Sequence, residues 1–411
     1  MKVDKSLWWG AMPWEQDGGA VVNYYLMKMM NYLEPKHEFH AVPKVPTSFE
    51  PAALPFVEFF TPHYNNGGAV DNQHLYKEIP SYMLGNNIPL MVMFHIDWEY
   101  FPMASFVKAV GGKTLVHQTV HWNNDVLFKS KVLGNVDSWV APTKWAANQL
   151  LRYGKIKRDK IKYIPHGVNM ERFYPHGTTF RKYLNIKPDQ KVILFTGRCS
   201  LEKGLHQLIP VMRPIIKDYN AVFVIRASVH PLLEKSMDMG FILDSMARHH
   251  KWNIRWIHSW TSPEAMEELT ASCDILVQPS GHEGFDVPLV EAMACKKAIA
   301  VTNIPNHKEI MGGKNRECGI FMEPTVNAKL VNDGQQMIKV PSSDCIEGTL
   351  RYLLENPDEC EYFASHGYER AKRNYNLAKV ANKWLDHFDS LSPEEAGNLE
   401  NSAIKGLVDE Q

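Results

Sequence analysis

Short continuous apolar runs alternate along most of the chain with longer stretches in which apolar residues recur every three or four positions. The first pattern suits strands buried on both faces and the second suits helices with one face on a core. Their alternation predicts parallel α/β sheets. In the first half the runs predict strands near Ser6–Trp9, Leu90–His95, Thr114–Val120 and Val136–Ala141, with helices over Ala20–Leu33 and Lys144–Tyr153. In the second half strands are expected at Val192–Thr196, Ala221–Ala227, Ile254–His258, Asp274–Val277 and Ala298–Thr302. Helices are expected over Asp344–Leu354, Glu359–Arg373 and Leu377–Leu391, the last with Val380, Ala381, Trp384, Leu385 and Phe388 on one face. Asp189-Gln190 introduces the second sheet, so the linker falls between Phe173 and Pro188. The chain then divides into domains 1–176 and 177–376, and the acidic, weakly apolar residues 393–411 read as a fraying tail.

Composition supports two globular domains. At 411 residues with 45% apolar side chains the chain exceeds one ordinary core. A net charge of −1 gives no reason to expect a nucleic-acid partner. No apolar run approaches the ~18 residues of a membrane span, so at most peripheral membrane contact is expected. Met1-Lys2-Val3-Asp4-Lys5 lacks the apolar stretch of a signal peptide. Cys199, Cys273, Cys295, Cys318, Cys345 and Cys360 are widely spaced and read as reduced thiols, which points to the cytoplasm.

Candidate chemistry concentrates in the second half. Asp274–Ser280 is a short buried strand that breaks at Pro279, and Pro288 suits a first helical position. Glu283 is therefore expected on a loop leaving the sheet and Glu291 in the first turn of the next helix. The amides of Gly284, Phe285, Asp286 and Val287 would face an anion at the helix N-terminus. Glu283-Gly284-Phe285-Asp286-Val287-Pro288-Leu289-Val290-Glu291-Ala292-Met293-Ala294 resembles the Glu-x7-Glu signature of retaining glycosyltransferases with two Rossmann domains (GT-B), family 4 above all. Upstream, Gly197-Arg198 and Lys203-Gly204 resemble that family's Gly-Arg…Lys-Gly motif, and Lys162–Asn169 its interdomain segment. The resemblance covers Val136 to Pro324.

The resemblance implies a fold of two doubly wound Rossmann-like domains facing a central cleft, with the C-terminal helix 377–392 packing back on the first domain. It implies that Gly197, Arg198 and Lys203 meet the donor diphosphate, that Glu291 meets the ribose, and that Glu283 meets the donor sugar. Arginine would supply a bidentate fork and lysine a mobile charge. On the acceptor side, Gly18 and Gly19 form a candidate loop after the first strand, and His121, then His95, are candidates for the family's functional histidine.

Two motifs compete with that reading. Asp97-Trp98-Glu99 imitates a metal-binding Asp-x-Asp, and His117 and His121 have the spacing of a helical metal pair but fall in an expected strand. No metal or other cofactor is expected. Trp14, Trp98 and Trp122 fall in expected cleft-side loops, where ordinary packing is the competing reading.

The activity expected is metal-independent transfer of a sugar, as a hexosyltransferase, from a nucleotide diphosphate sugar to a hydroxyl on a glycan, glycoconjugate or glycolipid. The competing readings are a non-catalytic nucleotide-sugar binding protein or inactive partner subunit, an NDP-sugar epimerase, and a phosphorylase-like enzyme. Ser228-Val229-His230-Pro231 stands where relatives carry Gly-x-Gly, and Asp286 where a small residue is common.

Overall fold

The structure is a computed structural model that describes residues 3–10, 18–43, 54–61, 72–94, 101–118, 131–177, 179–228, 234–249, 252–258, 261–312, 317–329 and 337–391. It divides into two compact units, Met1–Gly167 with Leu377–Gln411, and Val168–Asn376.

The first unit is built on a seven-stranded parallel sheet. Its strands are β1 (Lys5–Gly10), β2 (Glu38–Pro43), β3 (Val57–Phe59), β4 (Leu90–Phe94), β5 (Lys113–His117), β6 (Ser138–Ala141) and β7 (Ile161–Tyr163), in the order β3-β2-β1-β4-β5-β6-β7. β4 is fully buried along its length, as its apolar run requires. β5 ends at His117 rather than Val120, and β6 begins at Ser138 because Asp137 turns to accept the Thr114 amide at 2.8 Å. Order reverses between β1 and β4. There Gly10 is forced by packing, since a Cβ would lie 2.3 Å from the Phe94 carbonyl oxygen. The helix Leu377–Ser390 belongs to this unit, and its Trp384 and Phe388 rings pack 5.9 and 6.1 Å from that of Trp8. Trp8, Trp9 and Trp139 are core residues. Trp14, Trp98 and Trp122 lie outside the described residues.

In the second unit six parallel strands run β10-β9-β8-β11-β12-β13, from β8 (Lys191–Arg198), β9 (Ala221–Ser228), β10 (Ile254–Ile257), β11 (Ile275–Gln278), β12 (Ala298–Thr302) and β13 (Ile320–Met322). An antiparallel pair, β14 (Pro324–Lys329) and β15 (Met337–Pro341), stands outside that sheet. The unit starts at Val168 rather than after 176 because Val168 and Phe173 are buried in its core, and the Val168 amide bonds to the Tyr375 carbonyl at 2.7 Å. All six cysteines are unpaired. Burial pushes the Cys199 and Cys273 thiols up to about 12, which leaves them unreactive. Among the described residues no helix is long and apolar enough to cross a membrane. The tail expected at 393–411 lies outside the described residues.

Candidate functional site

Strand order in the second sheet reverses between β8 and β11. Open parallel sheets place ligand sites beyond the carboxyl ends of strands at such a reversal. Two loops leave that edge here, one after Arg198 and one after Gln278.

The first loop tightens into a 3-10 turn, Leu201–Lys203, closed by Gly204 at φ +71°. A Cβ on Gly204 would lie 2.3 Å from the Pro279 carbonyl oxygen, so conformation and contact both demand glycine. The turn thereby presses against the second loop and brings Lys203 Nζ within 2.6 Å of Glu283 Oε1, with only 18% and 11% of the two side chains exposed. Arg198 is freer at 45% exposed, its Nη2 donating to the buried Glu202 carboxylate at 2.5 Å. At Gly197 a Cβ would meet nothing closer than the Phe195 ring at 3.4 Å, so protein packing does not require glycine there.

The second loop ends in the helix Val287–Ala294. Asp286 is its N-cap, Oδ1 accepting the Leu289 amide at 3.3 Å. This cap starts the helix one residue earlier than expected. Pro288 is therefore second in the helix, and Glu291 falls in the second turn instead of the first. Asp286 Oδ2 lies 3.0 Å from His307 Nε2, while His307 Nδ1–H donates to the Thr302 carbonyl at 2.8 Å. The neighbouring Asn306 amide donates to the Glu283 carbonyl and, at 3.2 Å, to that of Gly284. Two adjacent residues after β12 thus fasten the Glu283–Asp286 loop. Phe285 is buried, edge-on to Tyr375 at 5.9 Å, and Val287 packs on the same core.

The carboxyl groups are driven in different directions. Burial pushes Glu283 up, but the Lys203 charge and hydrogen bond and the His307 ring outweigh it and hold it below the usual carboxylate range. Burial and the Glu283 charge push Asp286 up. Burial, aided by Asp286, drives Glu291 to about 8 against the opposing Arg226 charge. Glu283 is therefore ionised at neutral pH while Glu291 keeps its proton. Glu283, Asp286 and His307 offer ligand atoms within 4.8 Å of one another, a spacing that could hold a metal. Here Lys203 meets the Glu283 carboxylate, and the Leu289 amide and the imidazole meet that of Asp286.

The raised Glu291 gives a linkage prediction. Unfolded, it ionises near 4.5; folded, it holds its proton to about 8. The folded state binds the extra proton across that window, so stability falls as pH rises through it. Glu291→Gln is expected to match wild type in urea midpoint at pH 4 and to exceed it by ~5 kcal/mol at pH 9. Parallel midpoints across that range would remove the buried neutral acid.

Of the residues singled out from the sequence, Gly197 and Arg198 end β8, Lys203, Glu283, Gly284, Phe285 and Asp286 lie on these two loops, and Val287 and Glu291 lie on the helix after the second. Gly18 and Gly19 open the helix Gly18–Leu33 in the first unit rather than forming a loop before Ala20. His95, His121 and the Asp97-Trp98-Glu99 decoy lie outside the described residues. His117 is buried at the end of β5, stacked 4.2 Å from the Phe94 ring. Sequence reasoning missed Glu202, Arg226, Asn306 and His307. The last two open the helix that follows β12, the neighbour of β11 at the reversal, a position that would have nominated them.

Residues 177–339 match the family model for glycosyl transferases group 1, and residues 72–172 match that for glycosyltransferase family 4. Each of these matches covers less than half of the chain. It is 30% identical over 230 residues to an uncharacterised glycosyltransferase of Methanocaldococcus jannaschii, covering 54% of this chain and 55% of that one. It is 26% identical over 189 residues to a D-inositol 3-phosphate glycosyltransferase of Xylanimonas cellulosilytica, covering 44% and 43%. The match thus spans about half the length of these curated relatives. Among solved structures, a glycosyltransferase from Rickettsia africae superposes with a TM-score of 0.73 at 17% identity, over 97% of this chain and 99% of that one. Anabaena HepE in complex with UDP-glucose gives 0.73 at 13% identity, over 94% and 99%. The architecture is accordingly two Rossmann-like domains, the GT-B fold.

Proposed function

We propose that the chain is a retaining hexosyltransferase that moves a sugar from a nucleotide diphosphate sugar to a hydroxyl of a glycan, glycoconjugate or glycolipid in the cytoplasm. The observation that carries this reading is the Lys203–Glu283 pair beside Arg198 at the strand-order reversal. Both cations turn to the diphosphate when the donor binds and neutralise it as it departs. Glu283, released by Lys203, orients the sugar hydroxyls and faces the positive charge developing at the anomeric carbon. Glu291 exchanges hydrogen bonds with the ribose hydroxyls. The bond from the anomeric carbon to the diphosphate oxygen breaks while the acceptor oxygen bonds on the same face. The departing oxygen takes the acceptor proton. Two cations cover the leaving charge in this reading, so no metal is required. Roles for His121, His95, Gly18 and Gly19 toward donor sugar or acceptor belong to the same proposal.

The test is a thermal-shift screen of UDP-, GDP- and ADP-sugars with and without EDTA, on wild type and Arg198→Ala/Lys203→Ala. UDP-glucose comes first because a protein of the same fold is solved with it. A donor at one hundred times its Kd is expected to add ~2.7 kcal/mol of stability, unaffected by EDTA and lost in the double variant. Absence of any shift sinks the donor site. Product formed with inverted anomeric configuration would sink the same-face mechanism.

A further inference from the structure

We propose that the β14–β15 arm is a positioning element of the donor site, acting through Gly281 and Glu202 to set where Arg198 and Lys203 stand. This inference rests on the reading of those two residues as the diphosphate grip. The arm packs on the Leu201–Lys203 turn that lies between the two cations. A Cβ on Gly281 would lie 2.5 Å from the Lys339 carbonyl oxygen and 2.9 Å from Ile338 Cδ1, both on β15. The Gly281 amide donates to the Glu202 carbonyl at 2.8 Å, and the Glu202 carboxylate holds Arg198 at 2.5 Å. The next residue, Lys203, holds Glu283. At the end of the turn, Gly204 touches the Pro279 carbonyl with equally little room. Two tight contacts thus fix the turn, Gly204 on Pro279 and Gly281 on the arm, with no space for a methyl group at either glycine.

The arm is rooted in the same elements. Ser343, just past β15, donates its amide to Gln207 Oε1 at 3.0 Å and its hydroxyl to the Gln207 carbonyl at 2.9 Å, on the helix Leu205–Tyr219 that the turn introduces. Little else justifies the arm energetically. Among its described side chains Ala328, Val340 and Pro341 are the buried apolar ones, while Thr325, Asn327, Met337 and Lys339 are exposed. Its removal strips little apolar surface from the core but frees the turn.

The test uses the full chain with inorganic pyrophosphate, the moiety common to all candidate donors, titrated calorimetrically. Three variants are compared with wild type: Gly281→Ala, replacement of residues 324–341 by a Gly-Ser linker, and both together. The ends of the arm are paired at Pro324 and Pro341, so a short linker can join them. Gly281→Ala and the armless chain are each expected to weaken binding roughly tenfold, and the combined variant no further, because the added methyl then has no Lys339 to meet. Wild-type affinity in both single variants overturns the inference, as does a Gly281→Ala loss that persists undiminished without the arm. Should the armless chain fail to fold, unchanged pyrophosphate affinity in Gly281→Ala at an unchanged melting temperature overturns it alone. If wild type binds neither pyrophosphate nor any nucleotide sugar, the grip itself is misassigned and the inference falls with it. The screen above separates that outcome from the others.

Discussion

Lys203→Ala is expected to lower kcat/KM by roughly two to three orders of magnitude and to lower unfolding free energy at pH 8 by about 3 kcal/mol. The first effect follows from removing a charge that acts on the leaving diphosphate. The second comes from the pair that Lys203 makes without donor, where both side chains are largely buried. Without the ammonium, Glu283 keeps a carboxylate in a dry site beside Asp286. Burial is already the largest influence on Glu283 and pushes it up, so the variant relieves the unpaired charge by taking a proton. The stability loss is therefore expected to shrink at pH 5. Lys203→Ala/Glu283→Gln should recover most of the stability at pH 8 and none of the activity. Arg198→Ala supplies the contrast. Its guanidinium is 45% exposed but its Glu202 partner is buried, so its loss should cost less than that of Lys203 and more than an exposed pair, while still crippling donor turnover. Urea midpoints at the two pH values, with turnover of the donor found by screening, measure all of this. A loss equal at pH 5 and pH 8, or undiminished in the double variant, would show that the pair does not govern Glu283.

That pair also marks the limit of what the sequence discloses. The central strands were legible because burial on both faces writes them as continuous apolar runs, as in Leu90–Phe94 and Ala298–Thr302. Edge strands such as Ile161–Tyr163 and Ile320–Met322 are short and half-exposed, and neither gives a run long enough to read. The β14–β15 arm went unread because it lies outside the main sheet and buries few apolar side chains. Within the site, the resemblance directed Arg198, Lys203, Glu283 and Glu291 toward a donor. Sequence could not pair Lys203 with Glu283, because β8 and β11 become neighbours only after two intervening strands pass to one side. Nor could it read Asp286, whose partners are an amide three residues on and an imidazole after the next strand. Both are contacts made by topology rather than by local pattern.

The first unit should in turn be acid-labile through two histidines that hold its C-terminal helix. His387 on that helix meets Ser138 on β6 at 2.8 Å, and His37 meets Ser6 on β1 at 2.7 Å while its ring lies 5.8 Å from that of Phe388. Burial drives both rings down to about 4, against 6.5 unperturbed. The charges around His37, on Asp4, Glu34 and Asp389, favour protonation but do not offset burial, and Lys162 opposes it at His387. Both rings are thus neutral when folded and take up protons when unfolded between those values. Their contribution is complete above pH 6.5 and is lost as pH falls to about 4. Each ring contributes up to ~3 kcal/mol, less for the more solvated His387, so the pair is worth about 5 kcal/mol. His37→Gln/His387→Gln removes the titration and keeps hydrogen-bonding groups of similar reach. Between pH 7 and pH 4 wild type is expected to lose about 5 kcal/mol more than this variant, followed by the fluorescence of Trp8 and Trp384, whose rings pack together. His282 in the second unit, also driven to about 4 by burial, lowers both curves equally and cancels in the difference. Parallel loss in wild type and variant would mean that the helix is released by other groups, and that these two rings are only packing.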